Sequence, residues 1–420
     1  MSTVLTISRL GAQGDGVADT PKGPVFVPFA LPGERVNVAA DDKKADLVAV
    51  LEASPQRIAP VCKHFGDCGG CAMQHLDPDA YRAWKRDKLV DALKAKGIDT
   101  PVDLLVSVEP QSRRRAALTA RKTEAGVLLG FNAALTHRIV DMEECHVLLP
   151  SIVEKLDVLR ALAMLVGRTP KPFRLGVTQT ASGLDVAFED SGRLEGKPRQ
   201  AAVDFATRNG FARVSVDGEI LVEPKKPVVM VDDIAVPTPP GAFLQAVEAA
   251  EAVMADLVSA HLKKAKRVAD LFSGVGTFAL RLARNSEVHA VEGDAPALAS
   301  LDRAFRATAG TLKRVTVEKR DLFVRPMTYK EFDAAFAGTA YDGVAFDPPR
   351  AGAEDQAKQL ARSQVRLIAA VSCSPVTLAR DLRILVDGGY VLKRVVPIDQ
   401  FLWSPHLEAV ALLEKPRRRK

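Results

Sequence analysis

The stretch DLFSGVGTFA (residues 270–279) decides the fold, because it places two glycines directly after an apolar run. Gly274 and Gly276 allow the backbone to turn sharply and to approach a ligand closely. Glu292 stands 22 residues after Asp270, where one carboxylate can accept hydrogen bonds from both hydroxyls of a ribose. The stretch therefore predicts a nucleotide-binding turn between a strand and a helix. It also satisfies G-x-G-x-x-G/A, so an NAD-binding turn stays open.

Short strands alternate with helices around this turn, which is the pattern of a doubly wound α/β sheet. The last strand follows a loop that is too short for a crossover helix, so we expect it to be antiparallel. The proline-rich run VPTPP (236–240) marks the start of this domain. The sequence predicts strands over 267–272, 288–292, 315–320, 342–346, 367–372, 390–397 and 407–414, and helices over 277–283 and 295–308.

The chain before the proline-rich run is expected to form two further domains. Residues 1–57 alternate short apolar runs with glycine turns and predict a small OB-like β-barrel. Residues 58–236 predict a central α+β domain. Residues 237–420 then form the α/β domain, which ends in a basic tail.

An amphipathic helix is predicted at about residues 79–96 of the central domain. Its apolar positions are Tyr81, Trp84, Leu89 and Leu93. A helix with one apolar side must bury that side against another element. We expect this helix to pack on the C-terminal domain.

Composition indicates a multidomain protein outside the membrane. The 420 residues are 47% hydrophobic and 26% charged, which suits two or three globular domains. No run approaches the roughly 18 to 20 apolar residues of a membrane helix, and the first residues lack a secretory pattern. We therefore expect a cytoplasmic protein with no membrane partner, and we expect it to be a monomer.

The formal net charge of +6 favours a polyanion such as RNA as a partner. Five of the last six residues are cationic, however, and the rest of the chain carries a net charge of only +1. A denser basic patch at 113–115, with Arg121 and Lys122, lies inside a region that is expected to fold. Charge is thus consistent with RNA binding but does not identify it.

Two candidate reactive groups stand at predicted strand ends, where open α/β sheets place their sites. Cys373 lies between a strand and a helix, and a helix N-terminus lowers a thiol pKa and so favours the nucleophilic thiolate. Glu408 closes an H-x-E run that begins at His406, and it is a candidate base. The alternatives are an inert buried thiol and a His–Glu pair at the surface.

The run DPPR (347–350) follows the fourth predicted strand. Its two prolines stiffen a loop beside a carboxylate, an arrangement that many methyltransferases have next to S-adenosylmethionine. Enzymes that methylate exocyclic amines usually carry an aromatic residue where Arg350 stands. Arg350 therefore argues against amine methylation.

Four of the five cysteines have the pattern of a ligand set. Cys62, Cys68 and Cys71 fall within ten residues, and Cys145 lies far along the chain. Without an export signal, clustered cysteines indicate metal ligands or catalytic groups rather than disulfides. By count alone, four thiolates suit zinc and an iron–sulfur cluster equally well, and dispersed core cysteines are the remaining alternative.

Taken together, these motifs resemble the uracil-C5 RNA methyltransferases, which modify ribosomal and transfer RNA with S-adenosylmethionine. The resemblance covers nearly the whole chain. The chain departs from the family pattern at Ser374, where Asn is usual, and at Leu402 and Ser404, which replace Pro and Thr. The matching motifs are the glycine turn at 270–276, Glu292, D-P-x-R at 347–350, S-C-x-P at 372–375, H-x-E at 406–408 and F-x-Q at 243–245.

The resemblance implies a class I methyltransferase sheet preceded by a TRAM barrel, an RNA-binding domain matched at 14–18 and 27–36. It implies that Cys373 adds to C6 of a flipped uracil and that Glu408 removes the C5 proton after methyl transfer. The arginines at 113–115 would contact phosphates, and a solvated strand face is the alternative for them. The implied cofactor-binding residues are Gln245, Phe272, Gly274, Gly276, Thr277, Glu292, Asp321 and Asp347.

The resemblance also implies a 4Fe–4S cluster in the central domain, as in the members that act on large-subunit ribosomal RNA. We therefore expect 23S rRNA as the substrate, with the T-loop of tRNA as the alternative. A catalytically silent RNA-binding protein and an NAD-dependent dehydrogenase are the two remaining interpretations. The implied cluster ligands are Cys62, Cys68, Cys71 and Cys145.

Overall fold

The computed structural model describes residues 2–41, 44–134, 136–334 and 340–416 of the chain. The basic residues at 417–420, which belong to the predicted tail, lie outside the described residues. No helix within the described ranges is long and apolar enough to cross a membrane.

Residues 2–52 form an N-terminal sheet. Its strands are β1 (Ser2–Thr6), β2 (Arg9–Leu10), β3 (Gly16–Thr20), β4 (Gly23–Val27), β5 (Arg35–Asp41) and β6 (Lys44–Glu52). They are ordered β1-β5-β6-β4-β3-β2. Apolar residues alternate with polar ones along β5, so Val36 and Val38 are buried whereas Arg35 is exposed. The two valines pack with Ile7 and Val27 in one core.

The central part of the chain contains a second sheet and several helices. In chain order, the elements of this part are α1 (Pro78–Lys94), β7 (Val106–Ser107), β8 (Arg115–Thr123), β9 (Gly126–Gly130), α2 (Pro150–Val153), α3 (Leu156–Val166), β10 (Phe173–Thr180), β11 (Gly183–Glu189), α4 (Gly196–Arg208), β12 (Arg213–Val216), β13 (Glu219–Val222), β14 (Val228–Val231) and β15 (Ile234–Pro237). The second sheet is ordered β13-β12-β11-β10-β8-β9, and β14 pairs with β15. Leu159 and Leu162 of α3 pack on Leu175 and Val186 of this sheet.

The C-terminal part is the doubly wound α/β domain that the sequence predicts. Its elements are α5 (Glu248–Leu262), β16 (Arg267–Leu271), α6 (Ala279–Leu282), β17 (Glu287–Glu292), α7 (Ala295–Ala307), β18 (Val315–Lys319), α8 (Tyr329–Ala334), β19 (Gly343–Phe346), α9 (Glu354–Arg362), β20 (Leu367–Ser372), α10 (Pro375–Asp387), β21 (Val391–Asp399) and β22 (Glu408–Glu414). The sheet is ordered β18-β17-β16-β19-β20-β22-β21-β7. The predicted strands are confirmed to within two residues at each end.

Strand β22 is antiparallel to both of its neighbours, as predicted, and it lies between β20 and β21. The short loop at 400–407 joins β21 and β22 as a hairpin, which brings the last strand into the middle of the sheet. Because β22 runs in the opposite direction, it begins at the edge where β20 ends. Ala409 pairs with Ser372, so Glu408 and Cys373 meet at the carboxyl edge of the sheet.

Helix α1 packs on the C-terminal domain, against α10 and β21. Leu89 and Leu93 are buried in the same apolar cluster as Leu382 of α10 and Val395 of β21. Strand β7 follows and pairs in parallel with the end of β21. A segment of the central region therefore supports the strand that leads to Glu408.

Candidate active site

The glycine turn after β16 has a backbone conformation that prepares it for a ligand. Phe272 has a φ of 60°, and Gly274 and Gly276 have φ values of 52° and 99°. A non-glycine residue in the left-handed region carries strain, which proteins concentrate at functional sites. A Cβ added at Gly276 would lie 2.4 Å from Leu301 Cδ1, whereas one at Gly274 would meet no atom within 4 Å. The turn therefore packs tightly on one side and leaves room for a ligand on the other.

Glu292 connects this turn to the end of β17. Its Oε2 accepts a hydrogen bond from the Gly274 amide (2.9 Å), and its Oε1 accepts from the amides of Gly293 (2.7 Å) and Asp294 (2.9 Å). These contacts fix a carboxylate at the carboxyl edge of the sheet, beside the turn. Thr277 follows the second glycine and precedes α6, which begins two residues later than predicted because the turn extends through Phe278.

Asp321 lies in the loop after β18, next to an exposed aromatic side chain. Its Oδ1 accepts hydrogen bonds from the amides of Phe323 (2.9 Å) and Val324 (3.3 Å). The Phe323 ring is half exposed, and its centroid lies 5.5 Å from that of Phe272. The loops after β16, β17 and β18 thus bring four of the predicted cofactor-binding residues to one edge of the sheet: Phe272, Gly274, Glu292 and Asp321.

Gln245 and Asp347 form a contact that joins the segment before α5 to the loop after β19. Gln245 Nε2 donates to Asp347 Oδ2 at 2.8 Å. Burial raises the pKa of Asp347 to about 7. The Asp347 carboxyl can therefore gain or lose a proton near neutral pH when a ligand changes its surroundings.

Gln400 extends this contact to Glu408. Its Nε2 donates to Glu408 Oε2 (2.6 Å) and to Gln245 Oε1 (2.8 Å). Glu408 is buried, and burial together with the charge of Asp347 raises its pKa well above the usual value. Its Oε1 has no hydrogen-bond partner among the described residues. Glu408 Oε1 is therefore available to accept a proton from a bound substrate.

Cys373 is half-buried between β20 and α10. Burial and the charges of Glu408 and Asp347 raise its pKa to about 11, whereas the charge of Arg350 lowers it. The expectation that the helix N-terminus would lower this pKa is therefore wrong for the structure as it stands. Desolvation and two carboxylates outweigh the helix, which begins two residues further on.

Cys373 opens into a cleft of about 460 Å³ that all three parts of the chain line. The N-terminal sheet contributes residues 10–13, α1 contributes Trp84 and Lys88, and the C-terminal domain contributes Arg350 and His406. Trp84 Nε1 donates to the Gly11 carbonyl oxygen (3.3 Å) and so ties the N-terminal sheet to α1. A substrate can therefore reach the Cys373 thiol through this cleft.

The arginines at 113–115 do not form one continuous exposed patch, because the middle one is buried. Arg114 is buried, forms an ion pair with Glu251 (2.7 Å), and donates to the Gln245 carbonyl oxygen (3.2 Å). Arg113 lies over the Phe401 ring, 5.9 Å from its centroid, and burial lowers its pKa. Arg114 therefore supports Gln245 and does not face solvent, whereas Arg113 and Arg115 are only partly buried and their contact with phosphates stays a prediction.

The four remaining cysteines come together in the central region. Burial and the charges of Cys62, Cys68 and Cys145 raise the pKa of Cys71 to about 12. A Cβ at Gly69 would lie 2.7 Å from the Asn132 carbonyl oxygen, so only glycine fits where the two segments cross. In the described ranges, no three His, Cys, Asp or Glu side chains are placed to hold a single metal ion.

The strand order β18-β17-β16-β19-β20-β22-β21, with a glycine turn after β16, defines a class I methyltransferase. The family model for tRNA (Uracil-5-)-methyltransferase matches residues 197–416, and the model for the TRAM domain matches residues 4–49. The chain therefore belongs to the tRNA (uracil-5-)-methyltransferase family and is an RNA methyltransferase. Its N-terminal sheet is a TRAM domain.

Relatives and a solved structure agree with this assignment. The chain is 60% identical to a Mesorhizobium japonicum protein named as an uncharacterized RNA methyltransferase, over 100% of both chains. It is 35% identical to the 23S rRNA (uracil(1939)-C(5))-methyltransferase RlmD of Halomonas elongata, over 98% of this chain and 89% of that protein. The Pyrococcus abyssi tRNA (uracil-54, C5)-methyltransferase, solved with S-adenosyl-L-homocysteine, aligns with a TM-score of 0.74 at 25% identity, covering 98% and 99% of the two chains.

Proposed function

We propose that this enzyme transfers the methyl group of S-adenosylmethionine to C5 of a uracil in RNA, with Cys373 as the nucleophile and Glu408 as the base. The observation that carries the proposal is the meeting of these two side chains at the carboxyl edge, where Ser372 pairs with Ala409. Glu408 is near enough to raise the pKa of Cys373. Family membership supports uracil C5 as the target atom.

The cofactor would lie along the turn after β16. S-adenosylmethionine supplies an electrophilic methyl group. The open side of Gly274 gives it room, and the carboxylate of Glu292 is positioned to accept from ribose hydroxyls. Phe272, Gly276, Thr277 and Asp321 lie on the same edge, and Gln245 and Asp347 lie between this turn and Glu408.

The chemistry explains why a thiol and a buried carboxylate are both needed. Uracil C5 is a poor nucleophile, so the Cys373 thiolate adds to C6 and makes C5 an enolate carbon that can take the methyl group. Arg350 favours the thiolate, because its charge opposes the rise in the pKa of Cys373 that burial, Glu408 and Asp347 produce. Glu408 then removes the C5 proton, the C5–C6 double bond re-forms, and the sulfur–C6 bond breaks. Because C5 and C6 are shielded in a stack, the target base must flip into the cleft.

We propose 23S rRNA as the substrate. The 35% identity to a 23S rRNA methyltransferase over nearly the whole chain supports this choice, as does the four-cysteine set. The competing substrate is tRNA, which is the substrate named for the Pyrococcus abyssi neighbour. Both substrates would use the same reaction.

Transfer of labelled methyl groups to separate, unmodified 23S rRNA and tRNA transcripts tests this function. We expect label in rRNA uracil with the anaerobically purified protein, because the chemistry needs only the cofactor and a reachable uridine. Cys373→Ala protein should give no label. Label in tRNA alone would overturn the proposed substrate and retain the reaction, whereas no label in either RNA would contradict the proposed function.

We propose that Cys62, Cys68, Cys71 and Cys145 bind a 4Fe–4S cluster. Each cysteine of such a cluster binds a different iron atom, so the four sulfurs stand farther apart than the ligands of one zinc ion. Cys62, Cys68 and Cys71 each have a pKa raised in part by the charge of Cys145, so the four thiols lie near one another, which supports a shared metal group. The family resemblance is what favours the cluster over zinc. The methyl transfer described above needs no electron, so the cluster would have a structural role.

Metal analysis of anaerobically purified protein tests the cluster. We expect iron and acid-labile sulfide in about equal amounts, since a 4Fe–4S cluster contains equal numbers of both. Cys71→Ser should lose both elements, and Cys373→Ser should keep them, because Cys373 lies outside the four-cysteine set. Stoichiometric zinc without sulfide would contradict the proposal.

A further inference from the structure

The loop at 400–407 connects β21 to β22, and it carries the only hydrogen-bond partner that the described residues offer to the Glu408 carboxylate. That partner is Gln400. The position of Glu408 therefore depends on how firmly the loop is held. Gln400 itself donates to Gln245 Oε1 (2.8 Å) and accepts from the Ala246 amide (3.0 Å), and the rest of the loop is held by α1 and by the segment that follows Cys71.

Lys85 of α1 binds both ends of this loop. Its Nζ donates to Asp399 Oδ1 (2.7 Å) and to the Phe401 carbonyl oxygen (3.1 Å) at the beginning, and to the His406 carbonyl oxygen at the end. The Lys85 and Asp399 side chains are both 0% exposed. A buried ammonium must have its donors satisfied, and here the loop satisfies them.

Tyr81 and the segment after Cys71 hold the middle of the loop. Tyr81 Oη donates to Asp399 Oδ2 (2.6 Å) and accepts from the Trp403 amide (2.8 Å). The amides of Ala72 (2.7 Å) and Met73 (3.0 Å) donate to the Trp403 carbonyl oxygen. Trp403 has a φ of 56°, a strained conformation that its two bound backbone groups stabilise.

We propose that Lys85, Tyr81 and Asp399 form a clamp that fixes the 400–407 loop, and that Lys85 and Tyr81 are positioning residues for Glu408. The proposal rests on the proposed function, in which Glu408 removes the C5 proton. None of the three side chains lines the cleft at Cys373, so the clamp acts through the loop and not on the substrate. Loosening it should slow the proton-removal step and largely spare cofactor binding, because six of the eight predicted cofactor-binding residues lie after β16, β17 and β18, away from the clamp.

Two variants test the clamp, together with a control on the same helix. Tyr81→Phe removes only the hydroxyl, and Lys85→Met removes the ammonium while it keeps an unbranched side chain. Lys94→Met changes an exposed lysine in the last turn of α1 and serves as the matched control. We expect kcat per folded molecule to fall about 10-fold in Tyr81→Phe and about 10²-fold in Lys85→Met, the range that misplacement of a reacting group produces. Lys94→Met should keep kcat within about 2-fold.

The decisive measurement is the fraction of enzyme bound covalently to RNA in a denaturing gel after turnover with labelled cofactor. We expect this fraction to rise in both clamp variants, with the Kd for S-adenosylmethionine within about 3-fold of wild type, since only the last step slows. If Lys85→Met does not fold, Tyr81→Phe, which loses only a hydroxyl group, still tests the clamp. A loss of kcat without an increase in adduct would overturn the clamp.

Glu408→Gln separates the two levels of inference. If that variant accumulates adduct and the clamp variants do not, the clamp is contradicted and the assignment of Glu408 as the base is retained. If none of the three accumulates adduct, the base assignment falls and the clamp falls with it.

Discussion

Cys373→Ala is expected to abolish methyl transfer, with a loss of at least about 10⁴-fold in kcat, because no other group described at this edge can add to C6. In the proposed reaction the thiol makes a bond and does not hold the cofactor, since it is not among the eight predicted cofactor-binding residues, six of which lie in the loops after β16, β17 and β18. Binding of S-adenosylmethionine, measured by calorimetry, should therefore stay within about 2-fold of wild type. Removing the half-buried thiol should also leave the fold intact.

A second substitution separates the chemistry of this thiol from its shape. Cys373→Ser keeps a side chain of similar size, but its hydroxyl ionises far less readily than a thiol, so this variant should be as inactive as Cys373→Ala. Incorporation of labelled methyl into RNA is the measurement for both. Methyl transfer by either variant at a tenth of the wild-type rate or more would remove Cys373 from the reaction.

The methyltransferase sheet could be predicted because its pattern is local. Apolar runs, glycine turns and helical periodicity can be recognised within about 5 to 15 residues of sequence. The strands from β16 to β22 were predicted within two residues of their observed bounds. The position of β22 between β20 and β21 could not be predicted, because strand pairing joins residues that are distant in sequence. That pairing is what brings Glu408 to Cys373.

The sequence predicted the packing of α1 on the C-terminal domain but not the contribution of Lys85. Tyr81, Lys85, Leu89 and Leu93 are the buried positions of α1, at a regular spacing of four residues. A lysine inside such a stripe was the signal, because a buried ammonium requires an acceptor elsewhere in the fold. The apolar pattern predicts the buried face of this helix, but it does not identify Asp399 as the partner of the lysine.

The electrostatics of the site were the least predictable part. The position of Cys373 before a helix suggested a lowered pKa, but the structure surrounds the thiol with Glu408 and Asp347 and raises it. Arg114 was expected to face phosphates and instead pairs with Glu251. In both cases the outcome depends on partners contributed by other elements, which a single sequence does not display.

Glu408→Gln is expected to trap the enzyme on its RNA. The amide cannot accept the C5 proton, so elimination of the Cys373 sulfur should stall after the methyl group has been transferred, and kcat should fall about 10²- to 10⁴-fold. The amide oxygen can still accept from Gln400 Nε2, so the position of the side chain should be kept. Replacing a buried carboxyl whose pKa is raised also removes a group that is costly to ionise, so thermal stability should not fall.

The adduct itself distinguishes this step from the others. A denaturing gel should show Glu408→Gln protein joined to RNA that carries the labelled methyl group, because the stall follows transfer. The double variant Cys373→Ala/Glu408→Gln should show none, since the sulfur that forms the link is absent. Unlabelled adduct would mean that Glu408 acts before methyl transfer, and unchanged turnover without adduct would show that another group removes the proton. A labelled adduct that needs Cys373 therefore fixes the order of the steps as well as the identity of the base.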